Sequence, residues 1–247
     1  MLVFVGMGIW SEKDISVRGL EELRNCDVVF AEQYTGMMQE GSLERLEATI
    51  GKKAVLLQRE EVEGEKRILE EAVSKRVALL VPGDPLISTT HISLKLSAER
   101  LGIETKVVHS SSIITAAIGE CGLQVYKLGK PCTLAIWSKG YEPTSSYDTI
   151  LDNMQRGLHS VVFLDLKGRC MEASEAIGQL LSIDKSRQKL TGMAIVVLSR
   201  VGSAEQKITY GKADALLKAD LGKPPFILII PGKLHFMEEE ALQRFAV

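Results

Sequence analysis

The run Val77-Ala78-Leu79-Leu80-Val81-Pro82-Gly83-Asp84-Pro85-Leu86 decides the fold. An apolar stretch this short, with valine at both ends and a Pro-Gly stop, reads as a strand buried on both faces. Such strands sit in the middle of parallel sheets covered by helices. The prolines on either side of Gly83-Asp84 pre-set the backbone of the loop that leaves the strand, which lowers the entropy cost of ordering it. Ligands of open α/β sheets bind outside the carboxyl ends of strands. Asp84 is therefore a candidate to hold a hydroxyl or an amine; the alternative is a purely structural turn.

Outward from this strand the pattern repeats. Residues 2–5 form a short apolar run ended by Gly6, and 27–31, 54–57 and 104–108 read as further strands. Helices are predicted over 15–24, with Asp14 as its cap, and over 65–75 and 89–101. Alternating strands and helices give an α/β fold with a mainly parallel sheet flanked by helices. After Ser110-Ser111-Ser112 the pattern breaks, and a boundary is placed near residue 113. Residues 1–113 are expected to form an N-terminal α/β domain and 114–247 a C-terminal mixed α+β domain. The second domain is predicted to contain strands at 133–137, Ser160–Leu164, 193–198, 207–210 and Phe226–Ile230, and helices at 147–156, 171–181 and 237–245. Gly202-Ser203 suits a hairpin turn between the third and fourth of these strands.

Composition narrows the function. The chain has 247 residues, 25% of them charged, and a net charge of −2. Nucleic-acid binding normally leaves a basic excess, so it is disfavoured as the main activity. Cys26, Cys121, Cys132 and Cys170 form no C-x-x-C pair, so neither a zinc knuckle nor a redox pair is written and no metal is expected. The absence of a disulfide framework makes the cytoplasm the default compartment. The N-terminal apolar run is too short for a signal peptide, and no stretch approaches the roughly 20 residues of a membrane helix.

Local motifs are individually weak. Gly6-Met7-Gly8 would let a backbone approach a ligand, but Ile9-Trp10-Ser11 follows where a dinucleotide fingerprint needs a third glycine. That argues against a nucleotide-dependent oxidoreductase. The Ser110–Ser112 hydroxyls either cap a helix or bind a polar ligand. His91, His109, His159 and His235 make no metal-binding spacing. Loop 139–147, with Tyr141, Pro143 and Tyr147, is a candidate protein-docking surface because aromatic residues favour interfaces.

Taken together the segments carry a resemblance. Val5-Gly6-Met7-Gly8 and the stretch from Cys26 through Ala31-Glu32-Gln33-Tyr34-Thr35 resemble the tetrapyrrole methylase superfamily. The Pro82–Pro85 box continued to His91, Gly157-Leu158-His159-Ser160, and Pro231-Gly232-Lys233-Leu234-His235 are similar to its diphthine synthase branch. Gly8-Ile9-Trp10-Ser11, where tetrapyrrole-methylating relatives carry G-P-G-D, favours the same branch. Departures are Gln33 within the E-x-Y-T segment, Gly36 where serine is common, and Phe226 where histidine is expected after the paired prolines.

The resemblance implies a two-domain tetrapyrrole methylase-like fold with S-adenosyl-L-methionine in the cleft between domains, and a homodimer. It implies N-methylation of a 3-amino-3-carboxypropyl-histidine on translation elongation factor 2, with S-adenosyl-L-homocysteine as product. The family's cofactor-contacting positions fall on Ile9, Asp84, Ile87, Ser112, Ile113, Leu164, Val201 and Phe226. No side chain is marked as a general base. Lys233, Arg200 and Lys167 are candidates for the substrate carboxylate from their places at strand ends. The rivals are a corrin or porphyrin methyltransferase, an RNA ribose methyltransferase and a non-catalytic binding module.

Overall fold

The apolar N-terminal run folds as β1 (Leu2–Gly6), buried at every residue. In the computed structural model, which describes residues 1–190 and 192–247, the chain divides into two units, Met1–Ile113 and Ile114–Val247. The first unit holds β2 (Val28–Ala31), β3 (Ala54–Leu56), β4 (Val77–Val81) and β5 (Thr105–Val108). Its helices are α1 (Val17–Asn25), α2 (Ser42–Ile50), α3 (Arg59–Glu63), α4 (Lys66–Ala72) and α5 (Ile92–Arg100). The strands form one sheet in the order β3-β2-β4-β1-β5, parallel throughout.

Strand alternation distributes the helices. Leu2, Phe4, Val77, Leu79 and Val81 face one side and pack with Ile68, Leu94 and Ala98 of α4 and α5. Val3, Val5, Ala78 and Leu80 face the other and pack with Leu23 of α1 and Leu46 of α2. The connection from β1 runs across β4 to reach β2, whereas that from β4 runs the opposite way across β1 to reach β5. Right-handed crossovers in opposite directions must use opposite faces. The carboxyl ends of β1 and β4 are therefore the switch point of the sheet, where ligands of such folds bind.

Local capping corrects one expectation. Asp14 does not cap α1. It closes a 3-10 turn at Glu12–Asp14, where its carboxylate accepts the amides of Trp10 and Ser11 at 2.8 and 2.9 Å. Ser16 caps α1 instead, accepting from the Gly19 amide at 3.0 Å. The structure adds two helices to those expected: α2, whose Leu43, Leu46 and Ile50 recur at helical spacing and face the core, and α3, whose short charged stretch has no such pattern. α2 starts from Gly41 with no side-chain cap, and α3 uses a Gln58–Glu61 capping box in a charged stretch.

The second unit contains α6 (Ile113–Cys121), β6 (Cys132–Leu134), α7 (Ser145–Gln155), β7 (Ser160–Leu164), α8 (Ala173–Arg187), β8 (Ala194–Ser199), β9 (Lys207–Lys212), α9 (Ala213–Leu216), β10 (Phe226–Ile230) and α10 (Phe236–Gln243). The sheet order is β6-β7-β10-β8-β9, with β6 and β7 parallel and the other pairs antiparallel. Gly202, at φ +84°, lies in the β8–β9 connection, where the left-handed region favours glycine. Tyr147 and Ile150 of α7 and Ile177 and Leu180 of α8 pack with Val162, Val197 and Leu228 of the sheet to form the core.

Candidate functional site

Three loops meet at the switch point of the first sheet. The loops after β1 and β4 pair through the Gly8 and Gly83 backbones, with N–H to O=C distances of 3.3 and 2.7 Å. Gly6 lets them close: a Cβ there would lie 2.5 Å from the Gly83 carbonyl oxygen, 2.7 Å from Ser110 Cβ and 3.0 Å from Pro85 Cδ. Gly83 has φ +71°, and the space where a side chain would stand has nothing nearer than the Ser111 carbonyl at 4.0 Å. The loop thus presents bare backbone. Ile9 and Ser112 are half-buried around it, Ile87 is 47% exposed, and Ile113 follows β5.

Asp84 is buried and ties these loops together. One carboxylate oxygen accepts the Leu86 amide at 3.1 Å. The other lies 2.8 Å from His109 Nδ1, which donates to it, and 3.3 Å from the donating Ser110 amide. Three donors occupy most of the roughly four lone-pair positions of a carboxylate. Asp84 therefore fixes the loops after β4 and β5 against each other and keeps little capacity for a further partner.

The segment after β2 joins the same edge. Glu32 is fully buried and accepts from the Tyr34 and Thr35 amides at 2.9 and 3.0 Å and from the Thr35 hydroxyl. Burial pushes its carboxyl above the usual range, and the Thr35 hydroxyl and the two amides oppose that rise. Gly36 continues the segment, and a Cβ there would stand 3.0 Å from the Pro82 side chain. Glycine at this departure position lets the chain pass close to the proline loop.

In the second unit, Leu164, Val201 and Phe226 converge on one end of the sheet. Ile227 pairs with Phe163 and Phe226 with Ser199, so the start of β10 lies beside the ends of β7 and β8. All three side chains are buried, at 7, 5 and 9% exposure. Any ligand contact they make runs through backbone groups or a buried apolar wall. Lys167 and Arg200 follow β7 and β8 at this same end. Arg200 Nε donates to the Pro224 carbonyl at 2.9 Å, and its guanidinium pairs with Glu205.

Two sequence readings are corrected here. Lys233 follows the far end of β10, where its amide donates to Gly157 at 3.2 Å. A five-residue strand at about 3.3 Å per residue separates that end from Phe226, so Lys233 is not placed to serve a ligand beside Leu164. Tyr147 is not a docking residue: it is fully buried in α7, its hydroxyl donating to Asp184 at 2.6 Å. Tyr141, at 57% exposure, keeps the surface position expected of it. Tyr147→Phe removes a buried hydrogen bond to a carboxylate and is expected to destabilise the chain by about 1.5–3 kcal/mol in urea unfolding.

The sequence did not reveal the pairing of His159 with Glu238. Both are fully buried and meet at 3.0 Å. Glu238 also accepts the Gln124 amide at 2.9 Å, the His235 amide at 2.8 Å and the Lys127 ammonium at 2.5 Å. His159 Nδ1 accepts the Gly232 amide at 2.9 Å, so Nε2 carries the hydrogen and donates to Glu238. Gly232 has no room for a side chain, a Cβ standing 2.5 Å from the Leu158 carbonyl. The Gly157–Ser160 and Pro231–His235 motifs are thus one hydrogen-bonded clamp. Only the capping box at the start of α10 was a local signal of it.

Among the described residues no group of His, Cys, Asp and Glu is arranged to hold a metal ion. Burial pushes the Cys121 and Cys132 thiols up to about 12 and 11, which leaves them protonated and inert at neutral pH. Among the described residues no helix is long and apolar enough to cross a membrane.

Comparison with known proteins matches the profile of the Tetrapyrrole (Corrin/Porphyrin) Methylases to residues 1–217. A diphthine synthase from Methanothermobacter thermautotrophicus is 43% identical, with 100% of this chain and 96% of that protein covered. One from Methanocella arvoryzae is 41% identical, covering 100% of this chain and 98% of the relative. Among solved structures, a diphthine synthase crystal structure superposes with a TM-score of 0.92 at 39% identity, covering 99% of this chain and 95% of that one.

Proposed function

This chain belongs to the tetrapyrrole methylase family and is an S-adenosylmethionine-dependent methyltransferase, and from that premise we propose how it forms diphthine and on what. What carries the reading is the unbroken likeness to diphthine synthases along the whole chain. The acceptor is the amine of a 3-amino-3-carboxypropyl group on a histidine of translation elongation factor 2, and the product is diphthine. The enzyme acts as a homodimer in the cytoplasm.

The residues at the switch point suit the cofactor. Side-chain-free Gly83, half-buried Ile9 and exposed Ile87 offer close approach and apolar surface to an adenosine and an amino-acid tail. Ser112 and Ile113 extend this set in the first unit, and Leu164, Val201 and Phe226 are its counterpart in the second. When bound, S-adenosylmethionine supplies a methyl group on a sulfonium, already activated toward displacement. The protein's own task is then alignment of an amine lone pair with that methyl, worth several kcal/mol by positioning. Asp84 contributes by fixing the loops after β4 and β5, not by taking a proton. No side chain is assigned as a base, and the substrate ammonium loses its proton to water.

Lys167 and Arg200 stand at the Leu164 end of the second sheet and are the cations assigned to the substrate carboxylate. Replacing either by Ala is expected to raise KM for the modified factor about tenfold, an interaction of roughly 1.5 kcal/mol, while Lys233→Ala leaves it unchanged. Transfer of labelled methyl to elongation factor 2 bearing the aminocarboxypropyl-histidine, with unmodified factor as control, tests the reading. Label on both proteins or on neither overturns the acceptor. Binding of S-adenosylmethionine without transfer redirects the search to a tetrapyrrole or RNA acceptor.

A further inference from the structure

The proline loop is held from behind by two side chains that the cofactor reading leaves unused. His91, at the start of α5, is 1% exposed. Its Nδ1 lies 3.1 Å from the Pro85 carbonyl and its Nε2 3.3 Å from the Tyr34 hydroxyl. A carbonyl only accepts, so Nδ1 carries the hydrogen. Burial holds the imidazole below its ordinary range, against the pull of the Pro85 carbonyl and the Glu63 charge, so the ring is neutral at pH 7. Nε2 is then an acceptor and the Tyr34 O–H donates to it. The ring's tautomer and orientation are both fixed.

Each end of this chain of bonds is anchored. The Tyr34 amide donates to buried Glu32, and the Arg59 guanidinium stands 5.8 Å from the Tyr34 ring centre. At the other end the Pro85 carbonyl also accepts the Thr89 hydroxyl at 3.2 Å. Proline has no N–H and a fixed φ, so its carbonyl is the handle that sets the next peptide. That peptide leads through Leu86 to Ile87 and then to Ser88, a non-glycine residue at φ +58°. A turn in that region persists only where its surroundings enforce it.

We propose that His91, oriented by Tyr34, is a positioning residue for methyl transfer: through the Pro85 carbonyl it sets the loop of residues 84–88 that faces S-adenosylmethionine. The inference rests on the cofactor reading above and adds residues to it that touch neither cofactor nor substrate. It also explains why the Ala31–Thr35 segment and the extended proline box occur together in one sequence: they are the two ends of one hydrogen-bond relay.

The test uses the full chain and three variants, His91→Gln, His91→Asn and Tyr34→Phe. The asparagine amide nitrogen falls where Nδ1 stands and keeps the bond to Pro85, whereas glutamine reaches toward the Nε2 position and loses it. His91→Gln is expected to raise the dissociation constant and the KM for S-adenosylmethionine about tenfold while kcat at saturation stays within about twofold. His91→Asn recovers most of that loss, and Tyr34→Phe falls between. Amide hydrogen exchange at residues 86–88 of the unliganded chain quickens in the same order. A folded His91→Gln with unchanged cofactor affinity and unchanged exchange overturns the inference alone. If the unsubstituted chain binds no S-adenosylmethionine, the cofactor reading falls and the inference falls with it.

Discussion

Replacing Glu238 by Ala lowers the unfolding free energy of the second unit by about 3–5 kcal/mol, the cost of leaving buried partners of a carboxylate unpaired. His159 and the amides of Gln124 and His235 lose this acceptor at once, and Lys127 keeps only the Lys233 carbonyl. Urea unfolding followed by tryptophan fluorescence reads this directly. The chain has two tryptophans, Trp10 in the first unit and Trp137 in the second, so a Trp10→Phe background isolates the second. A loss below about 1 kcal/mol would mean that water replaces the carboxylate and that the clamp is not a stabilising feature.

The same group makes the fold acid-sensitive. Burial pushes the Glu238 carboxyl up, but the Lys127 ammonium, the His235 and Gln124 amides and His159 pull it down further, to about 2. A carboxyl lowered from 4.5 on folding stabilises the native state above pH 4.5, and that contribution is lost as pH falls toward 2. The full span amounts to about 3 kcal/mol. His159 acts in the same direction: burial holds it below 6.5, so the unfolded chain takes the proton more readily and stability begins to fall below that pH. Glu238→Gln is expected to flatten the decline between pH 4.5 and 2.

Gly6→Ala is the second large effect, and it acts on both stability and cofactor binding. The added methyl meets the Gly83 carbonyl, the Ser110 side chain and the Pro85 ring at 2.5–3.0 Å. Backbone and a proline ring cannot rotate away, so the three loops at the switch point must separate. The expected cost is about 1–3 kcal/mol in stability and at least about a tenfold weaker dissociation constant for S-adenosylmethionine by calorimetry. Gly119→Ala in α6 is the control. Nothing lies within 4 Å of the added methyl, and a helix-interior alanine is expected to be neutral or to stabilise by up to about 1 kcal/mol. Equal cofactor affinity in both variants would move the ligand away from these loops.

The buried strands were legible because an apolar run between breakers has few other readings. Leu2–Gly6, Val77–Val81, Ser160–Leu164 and Phe226–Ile230 are all such runs. Helices lying on the surface were harder. α2 is flanked by left-handed glycines at both ends, and its N-cap position is Gly41, one residue before Ser42, so no side chain caps its start. In the candidate site the loops were legible and their roles only partly so. Asp84 stood out as a ligand for something outside, yet its carboxylate is mostly spent on His109, Ser110 and Leu86. The His159–Glu238 and Tyr34–His91 contacts join residues far apart in the chain, and no spacing rule reaches across such distances.

The position of β1 has a consequence for synthesis. The strand leaves the ribosome well before its partners, for it lies between β4 and β5, with Leu2 paired to both Val77 and Thr105. An apolar strand must therefore wait, unpaired, until β4 has been translated, and its second edge stays open until β5 follows. Contacts of such high order slow folding and expose the nascent chain to off-pathway association. The second unit has more forgiving timing in part: β8 and β9 pair as neighbours in sequence through the Gly202 turn as soon as they emerge. The first unit is where nascent-chain binding by chaperones has the most to protect.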